Sequence, residues 1–240
     1  MNIFVSSLQA KSGKTLISAG LAAVMQALGY RSAYYKPIQS GSEERHGFLV
    51  SPDVAFVKTV DPYIDCTCSY IFKTLAAPAI ASELENIKIE PKVILKEYKK
   101  LCSSSDCTIV EGLDGLMIPV SQDSMFADII KLLDIPVLLV IDAPMSNIHT
   151  ILSSINQASS CNIKIAGVVL NKFQYFNNDT KIKSFPRLIE EYSDVKVLGI
   201  MKQFPPNDRI EPSLLISEIL NGLDIEKIFN IPLPKLNPGM

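Results

Sequence analysis

Short apolar runs alternate with longer amphipathic segments along this chain of 240 residues. The runs carry no regularly spaced polar position, which is typical of strands that are buried on both faces of a sheet. Strands are predicted over residues 3–6, 32–36, 107–111, 137–141, 165–170 and 195–200.

The segments between these runs place apolar residues three or four positions apart, as helices with one buried face do. Residues 13–28 show the pattern clearly, with Leu16, Ile17, Leu21 and Met25 among the apolar positions. Helices are predicted over residues 13–28, 54–60, 93–101, 125–133, 149–159, 182–192 and 212–223.

Alternation of buried strands with helices predicts an α/β fold built on a single doubly wound, mostly parallel sheet. Helices on both faces would give a Rossmann-type arrangement of three layers, and ligands would bind at the carboxyl ends of the strands. Residues 1–230 are expected to form one domain. Residues 231–240 are rich in proline and are expected to form a surface tail.

Composition narrows the function without identifying it. Hydrophobic residues make up 48% and charged residues 20% of the chain, as in soluble globular proteins. A net charge of -2 gives no electrostatic case for nucleic acid or an anionic membrane as partner. No apolar run approaches the roughly 20 residues of a membrane helix, so a cytoplasmic protein is expected. The odd number of cysteines, 5, argues for reduced thiols over a disulfide framework.

A phosphate-binding motif follows the first predicted strand. Ser12-Gly13-Lys14-Thr15 opens the first predicted helix, which is the context of a P-loop. Lys14 would reach the β- and γ-phosphates, and the Thr15 hydroxyl would bind Mg²⁺. The expected glycine is missing from the front of the loop, and Lys11 lies within it. An ordinary connection between strand and helix therefore stays open as the alternative.

Two charged residues lie where this chemistry would use them. Lys36 ends the second predicted strand, where an ammonium could neutralise charge that develops in phosphoryl transfer. Taken alone it would be a surface lysine, and the neighbouring P-loop changes that interpretation. Asp53 follows Ser51-Pro52 at a predicted helix start. It is either a capping or first-turn carboxylate or a ligand of Mg²⁺, and its position fits both.

Later strand ends add an acid and an amide. Glu111 ends an apolar strand at the position of a Walker-B acid, and Gly112 and Gly115 after it would let backbone approach a ligand. Asn171 ends another strand, where its amide could read an adenine edge or serve as a loop or cap residue. These residues together predict a P-loop NTPase-like version of the fold.

Further motifs occur in an order and spacing that chance does not readily give. They are Tyr35-Lys36-Pro37, Ser40-Gly41-Ser42-Glu43, Val110-Glu111-Gly112, Ile118-Pro119-Val120, Phe126-Ala127-Asp128, residues 135–140, and Ala166-Gly167-Val168-Val169 leading to Asn171. Through them the chain resembles the dethiobiotin synthetases of biotin biosynthesis, over residues 2–204.

The resemblance implies a ligase that depends on ATP and Mg²⁺ and forms C–N bonds. Such an enzyme closes a cyclic urea on 7,8-diaminononanoate with CO₂. The diamine forms a carbamate, ATP phosphorylates it to a carbamic-phosphoric mixed anhydride, and the second amine displaces phosphate. The resemblance also implies a homodimer with the diamine site at the subunit interface.

The resemblance assigns roles to residues of this chain. It implies that Lys14 and Lys36 are catalytic and hold phosphate and carbamate charge, and that Ser40 contacts substrate. Thr15, Asp53 and Glu111 would bind Mg²⁺. The nucleotide would lie against Lys11, Ser12, Gly13, Lys14, Thr15, Asp53, Glu111, Gly112, Leu113, Asp114 and Asn171.

Two loops depart from the family pattern. The family reads Gly-Thr-Asp-Thr-x-Val-Gly-Lys-Thr where this chain has residues 7–15, Ser-Leu-Gln-Ala-Lys-Ser-Gly-Lys-Thr. It reads Glu-Gly-Ala-Gly-Gly where residues 111–115 are Glu-Gly-Leu-Asp-Gly. These changes leave the nucleotide preference open, so another nucleoside triphosphate could replace ATP.

Other functions stay open at this point. One is a related P-loop synthase that forms amides with another substrate. Another is a partitioning ATPase of the deviant P-loop type, whose signature lysine would fall at Gln9. The last is a non-catalytic relative that binds partners, which the retention of Lys14, Thr15, Lys36, Asp53 and Glu111 disfavours.

Overall fold

A computed structural model describes residues 1–174, 179–204 and 210–232 of the chain. Its strands are β1 (Asn2–Ser7), β2 (Ser32–Gln39), β3 (Glu43–Arg45), β4 (Phe48–Val50), β5 (Asp65–Ile71), β6 (Cys107–Glu111), β7 (Val137–Asp142), β8 (Ile165–Phe173) and β9 (Val197–Lys202). Its helices are α1 (Lys14–Ala27), α2 (Pro52–Val60), α3 (Pro78–Glu85), α4 (Pro91–Ser104), α5 (Phe126–Leu133), α6 (Ile148–Ser160), α7 (Thr180–Tyr192), α8 (Pro212–Gly222) and α9 (Ile225–Phe229).

The main sheet has seven strands in the order β5-β2-β6-β1-β7-β8-β9, and all of its pairings are parallel. After β1 the chain forms β2 and β5 on one side, returns to place β6 between β2 and β1, and then continues through β7, β8 and β9 on the other side of β1. Val5 of β1 pairs with Glu111 of β6 on one side and Leu138 of β7 on the other. The carboxyl ends of these strands therefore meet at a topological switch point, where ligands bind in such folds.

Helices cover both faces of this sheet, so the predicted arrangement of three layers is confirmed. Alternate residues of β1 point to opposite faces, as they must in a strand. Phe4 joins the core beneath α4, α5, α6 and α7, whereas Ile3 and Val5 join the core beneath α1, α2, α8 and α9. Burial on both faces explains why residues 3–5 of β1 form a continuous apolar run.

Every predicted strand and helix is present, with ends that shift by up to three residues. The largest shifts lengthen elements: β2 ends at residue 39 where 36 was predicted, and β8 ends at 173 where 170 was predicted. The first helix begins at Lys14 and not at Gly13, which is its N-cap. The strand predicted from 195 begins at Val197.

The sequence pattern missed five elements. The edge strand β5 mixes polar residues and cysteines, and the hairpin of β3 and β4 is short and largely exposed. Helices α3 and α9 are short, with eight and five residues. Of the predicted tail, residues 233–240 lie outside the described residues. In the described parts of the chain, no helix combines the length and apolar character that crossing a bilayer requires.

Substitutions at the close contact between α1 and α8 would test this packing. A Cβ atom at Gly20 would lie 2.5 Å from Cγ1 of Ile219, so Gly20→Val should lower the free energy of unfolding by about 1–3 kcal/mol through overpacking. Ile219→Ala should cost about 2–5 kcal/mol by leaving a cavity. Urea unfolding of both variants and of their combination measures the coupling. We expect the combined loss to be smaller than the sum, because truncation of Ile219 would vacate space for the valine, and additive losses would contradict this packing.

Candidate functional site

The switch point opens into a cavity of about 750 Å³, a size that ordinary small-molecule sites have. The P-loop (residues 7–15), the end of β2, the start of α2 and the loop after β6 surround it. The predicted site residues that line it are Lys11, Lys14, Thr15, Lys36, Ser40, Asp53, Glu111, Gly112, Leu113 and Asp114. Ser12, Gly13 and Asn171 are not among the lining residues, and their positions are described below.

A serine side chain forms the front of the P-loop, where a glycine was expected. The Ser7 hydroxyl donates to the carbonyl oxygen of Gln9 at 2.9 Å and accepts from Nζ of Lys14 at 3.0 Å. Ser7 thus closes a turn with its side chain and also positions Lys14.

The later part of the loop contains two residues with left-handed backbone conformation. Lys11 has φ of 59° and Gly13 has φ of 90°, and α1 begins at the next residue. A Cβ atom at Gly13 would collide with the Asn171 amide, so glycine is required there for space as well as for conformation. The first turn of α1 carries no acidic residue, which leaves its positive dipole end for an anion.

Lys14 is buried and forms an ion pair with Asp114. Asp114 lies on the loop after β6, and 40% of its side chain is exposed. The ammonium that would bind the β- and γ-phosphates is therefore neutralised by a carboxylate of the protein. Asp114 was predicted to lie against the nucleotide. Here its carboxylate pairs with Lys14, the side chain that a nucleotide phosphate would contact.

Thr15, Asp53 and Glu111 meet at the start of α1. The Thr15 hydroxyl lies 2.9 Å from Oε1 of Glu111 and 3.2 Å from Oδ1 of Asp53. No group of three His, Cys, Asp or Glu side chains suited to a metal occurs in the described residues. Mg²⁺ does not need one, because it retains waters and takes phosphate oxygens beside one or two carboxylates. These three oxygen-bearing side chains fit Mg²⁺.

The placement of Asp53 follows from its neighbours. Ser51 caps α2 by accepting from the Val54 amide at 3.2 Å, and its hydroxyl donates to Oε1 of Gln39 at 2.9 Å. The cap is therefore Ser51, and Asp53 occupies the first turn. Its carboxylate faces the cavity, where it contacts both Thr15 and Lys36.

Lys36 is the centre of the charged cluster. Its Nζ lies 2.7 Å from Oδ2 of Asp53, 2.9 Å from Oε1 of Glu111 and 3.1 Å from the carbonyl oxygen of Gly112. Burial alone lowers the pKa of Lys36, but the carboxylates of Glu111 and Asp53 outweigh it, and the pKa is raised above its ordinary value. Lys36 is thus a fixed ammonium at neutral pH and cannot serve there as a base or nucleophile.

Tyr34 is a site residue that the sequence reasoning missed. Its hydroxyl donates to Oε2 of Glu111 at 2.8 Å, and its side chain is fully buried. Burial, followed by the charges of Glu111 and Asp53, raises the pKa of Tyr34 well above its ordinary value. A neutral phenol therefore holds one oxygen of Glu111. The available signal was its position two residues before Lys36, on the same face of β2.

Two predicted residues keep unpaired polar atoms. The buried hydroxyl of Ser40 lines the cavity and has no hydrogen-bond partner in the described part of the chain. Nδ2 of Asn171 donates to the carbonyl oxygen of Ser12 at 2.7 Å, whereas its Oδ1 has no partner among the residues described. Contact of Ser40 with substrate and of Asn171 with a base stay predictions.

The fold and the site define a P-loop nucleotide-binding protein. They combine a lysine and a threonine at a helix N-terminus with an acid at the end of the adjacent strand.

The family described as AAA domain (AAA_26) matches residues 1–211. ATP-dependent dethiobiotin synthetase of Fusobacterium nucleatum is 34% identical over 74% of this chain and 83% of its own length. That of Brachyspira hyodysenteriae is 33% identical over 83% and 90%, respectively. The chain belongs to the AAA_26 family and to the family of ATP-dependent dethiobiotin synthetases.

Solved structures with much lower identity share the fold. The MinD cell division protein of Aquifex aeolicus aligns with a TM-score of 0.58 and 14% identity, over 97% of this chain and 98% of its own. MinD of Pyrococcus horikoshii, complexed with Mg-ADP, gives 0.53 and 15%, over 100% and 90%. At such identities the likeness establishes the arrangement of strands and helices only.

The ion pair between Lys14 and Asp114 yields a prediction. Asp114→Asn should tighten the binding of nucleotide by about threefold to tenfold, since Lys14 would no longer exchange a carboxylate for phosphate. Calorimetric titration with ATP at low and high salt measures this, and the gain should shrink as salt screens the pair. Asp123→Asn, on the same connection but outside the cavity, is the control for lost charge. Weaker binding by Asp114→Asn would show instead that Asp114 contacts the bound ligand.

Proposed function

We propose that this protein is a dethiobiotin synthetase that uses ATP and Mg²⁺ to form the cyclic urea of dethiobiotin from 7,8-diaminononanoate and CO₂. ADP and phosphate would be the other products. The observation that carries the proposal is the position of Lys36, whose ammonium is buried between Asp53 and Glu111 beside Lys14 and Thr15 of the P-loop.

The proposed reaction needs positioned charge and no nucleophile from the protein. The amine of the substrate attacks CO₂, and the carbamate oxygen then takes the γ-phosphoryl group. Closure of the ring by the second amine releases phosphate. Negative charge accumulates at each stage on carboxyl and phosphoryl oxygens, which fixed cations stabilise. Lys36 and Lys14 are such cations, and both are buried at the cavity.

The charged residues at the cavity and Thr15 would each have a specific role. Lys14 and the N-terminus of α1 would bind the phosphates, and Lys36 would stabilise carbamate and transferred phosphoryl oxygens. Thr15, Asp53 and Glu111 would hold Mg²⁺. The metal would supply neutralisation of phosphate charge when bound.

The remaining cavity wall suits an aliphatic diamine. The unpaired hydroxyl of Ser40 would contact a polar end of the substrate. Apolar side chains of residues 75–78 and 117–119 also line the cavity and would pack against its carbon chain. Leu75 and Met117 of this wall are exposed, as is Leu84 of α3, which supports the proposal of a homodimer that covers them and completes the diamine site.

The assay that tests this function is release of phosphate from ATP, bicarbonate and 7,8-diaminononanoate. We expect release that requires the diamine, and loss of about 100-fold or more in turnover for Lys36→Ala, because the stabilising cation is removed. Lys99→Ala, an exposed lysine on α4, is the control. Folded wild-type protein that releases no phosphate in response to the diamine, with ATP, GTP, CTP or UTP, would sink the proposal.

The metal site has its own test. Glu111→Gln keeps the shape of the side chain and its hydrogen bond with Tyr34 but removes the charge. We expect the Mg²⁺ concentration for half-maximal turnover to rise on the order of tenfold or more. Titration of phosphate release with Mg²⁺ measures the change, with Glu83→Gln at an exposed position of α3 as control. An unaltered Mg²⁺ dependence would remove Glu111 from the metal ligands and leave the choice of substrate untouched.

A further inference from the structure

The end of β8 holds the P-loop from the side opposite Lys36. Nδ2 of Asn171 donates to the carbonyl oxygen of Ser12 at 2.7 Å, and Nζ of Lys172 donates to the carbonyl oxygen of Lys11 at 2.5 Å. Two successive carbonyl groups of the loop are thus bound by two successive side chains of one strand. Lys172 itself has left-handed backbone, with φ of 57°.

Because peptide bonds are planar, these two contacts also fix the direction of the neighbouring N–H groups. The C=O of one residue and the N–H of the next point in opposite directions across a trans peptide. With the carbonyls of Lys11 and Ser12 held toward β8, the N–H groups of Ser12 and Gly13 point away from it. Neither N–H group has a protein acceptor in the described residues. Successive N–H groups that point the same way form an anion-binding nest.

A buried acid fixes Lys172 in turn. Oδ2 of Asp142 lies 2.6 Å from Nζ of Lys172, and Oδ1 of Asp142 accepts from the amide of Met145 at 3.2 Å. Asp142 ends β7, lies beside Asn171 in the sheet, and is almost fully buried. Because β7 also pairs with β1, the carboxylate belongs to the rigid sheet from which the P-loop emerges. Lys172 therefore connects the loop to a fixed point.

We propose that Lys172 and Asp142 form a positioning pair that, with Asn171, holds the P-loop in its phosphate-binding conformation. Ser7 holds the front of the loop, and this pair holds the later part at Lys11. Lys172 is not among the residues that line the cavity, so it acts through the backbone of Lys11 and touches no substrate. The inference rests on the proposed binding of nucleotide at the P-loop.

The test compares dissociation constants of MgATP and of inorganic tripolyphosphate, measured by calorimetry. Lys172→Met should weaken binding of both ligands about tenfold, because a hydrogen bond from a charged donor to the loop is lost. Lys172→Arg should restore most of the affinity, since its guanidinium can still donate to both oxygens. Lys164→Met, at an exposed position just before the same strand, removes an equal charge and should change neither constant.

The direction in which a second variant changes nucleotide affinity distinguishes positioning from simple charge attraction. Asp142→Asn removes a negative charge near the phosphates, so plain electrostatics would make nucleotide bind more tightly. A positioning pair gives the opposite result, a loss of about threefold to fivefold, since Lys172 loses the partner that fixes it. Steady-state turnover should show a raised KM for ATP with kcat nearly unchanged in Lys172→Met and Asp142→Asn.

Several results would overturn the inference. They are tighter binding by Asp142→Asn, equal affinities for Lys172→Met and wild type, no rescue by Lys172→Arg, or a loss for MgATP without a loss for tripolyphosphate. The last would place Lys172 on the base or ribose. Wild type that binds MgATP yet releases no phosphate with the diamine would contradict the proposed function and leave the positioning pair intact.

Discussion

The site depends on one buried ammonium held by two carboxylates. Lys36, Asp53 and Glu111 come from different strand and helix ends, and only a parallel sheet with its switch point at β1 brings these ends together. A buried ion pair is weak evidence for stability, because desolvation costs several kcal/mol per ion. The cluster is therefore better explained by function than by folding. Its geometry is fixed by uncharged neighbours, namely the phenol of Tyr34 and the carbonyl of Gly112.

The unusual P-loop is understandable once its hydrogen bonds are considered. A glycine at the front would have supplied conformational freedom, whereas here the Ser7 side chain closes the turn and orients Lys14. Gly13 remains because the Asn171 amide leaves no room for a Cβ atom. Lys11 contributes its left-handed backbone and its carbonyl oxygen to the loop, in addition to its charge at the cavity. The altered residues thus rebuild the loop with side-chain contacts.

The sequence was sufficient for the parts of the structure that repeat a simple pattern. Buried strands such as β7 are apolar up to their last residue. Because parallel strands end at one edge, Lys36 and Glu111 could be placed together from the sequence alone. The pattern of apolar and polar residues could not predict which side chains contact each other. The contacts of Asp114 with Lys14 and of Tyr34 with Glu111 join residues 100 and 77 positions apart in the chain. The edge strand β5 was missed because one exposed edge tolerates polar residues.

The charges around the cavity are balanced, and this determines which contacts incoming ligands would compete with. Lys11, Lys14 and Lys36 line it together with Asp53, Glu111 and Asp114, so its cationic and anionic side chains are equal in number. Lys14 uses two of its three donors on Ser7 and Asp114, so a phosphate would either share the ammonium with Asp114 or displace it. Lys36 contacts Oδ2 of Asp53 and Oε1 of Glu111, whereas Oδ1 of Asp53 contacts Thr15, so Mg²⁺ would compete with Lys36 at the first two oxygens only. In the proposed function, a metal held on those two oxygens would leave donors of Lys36 available to a carbamate.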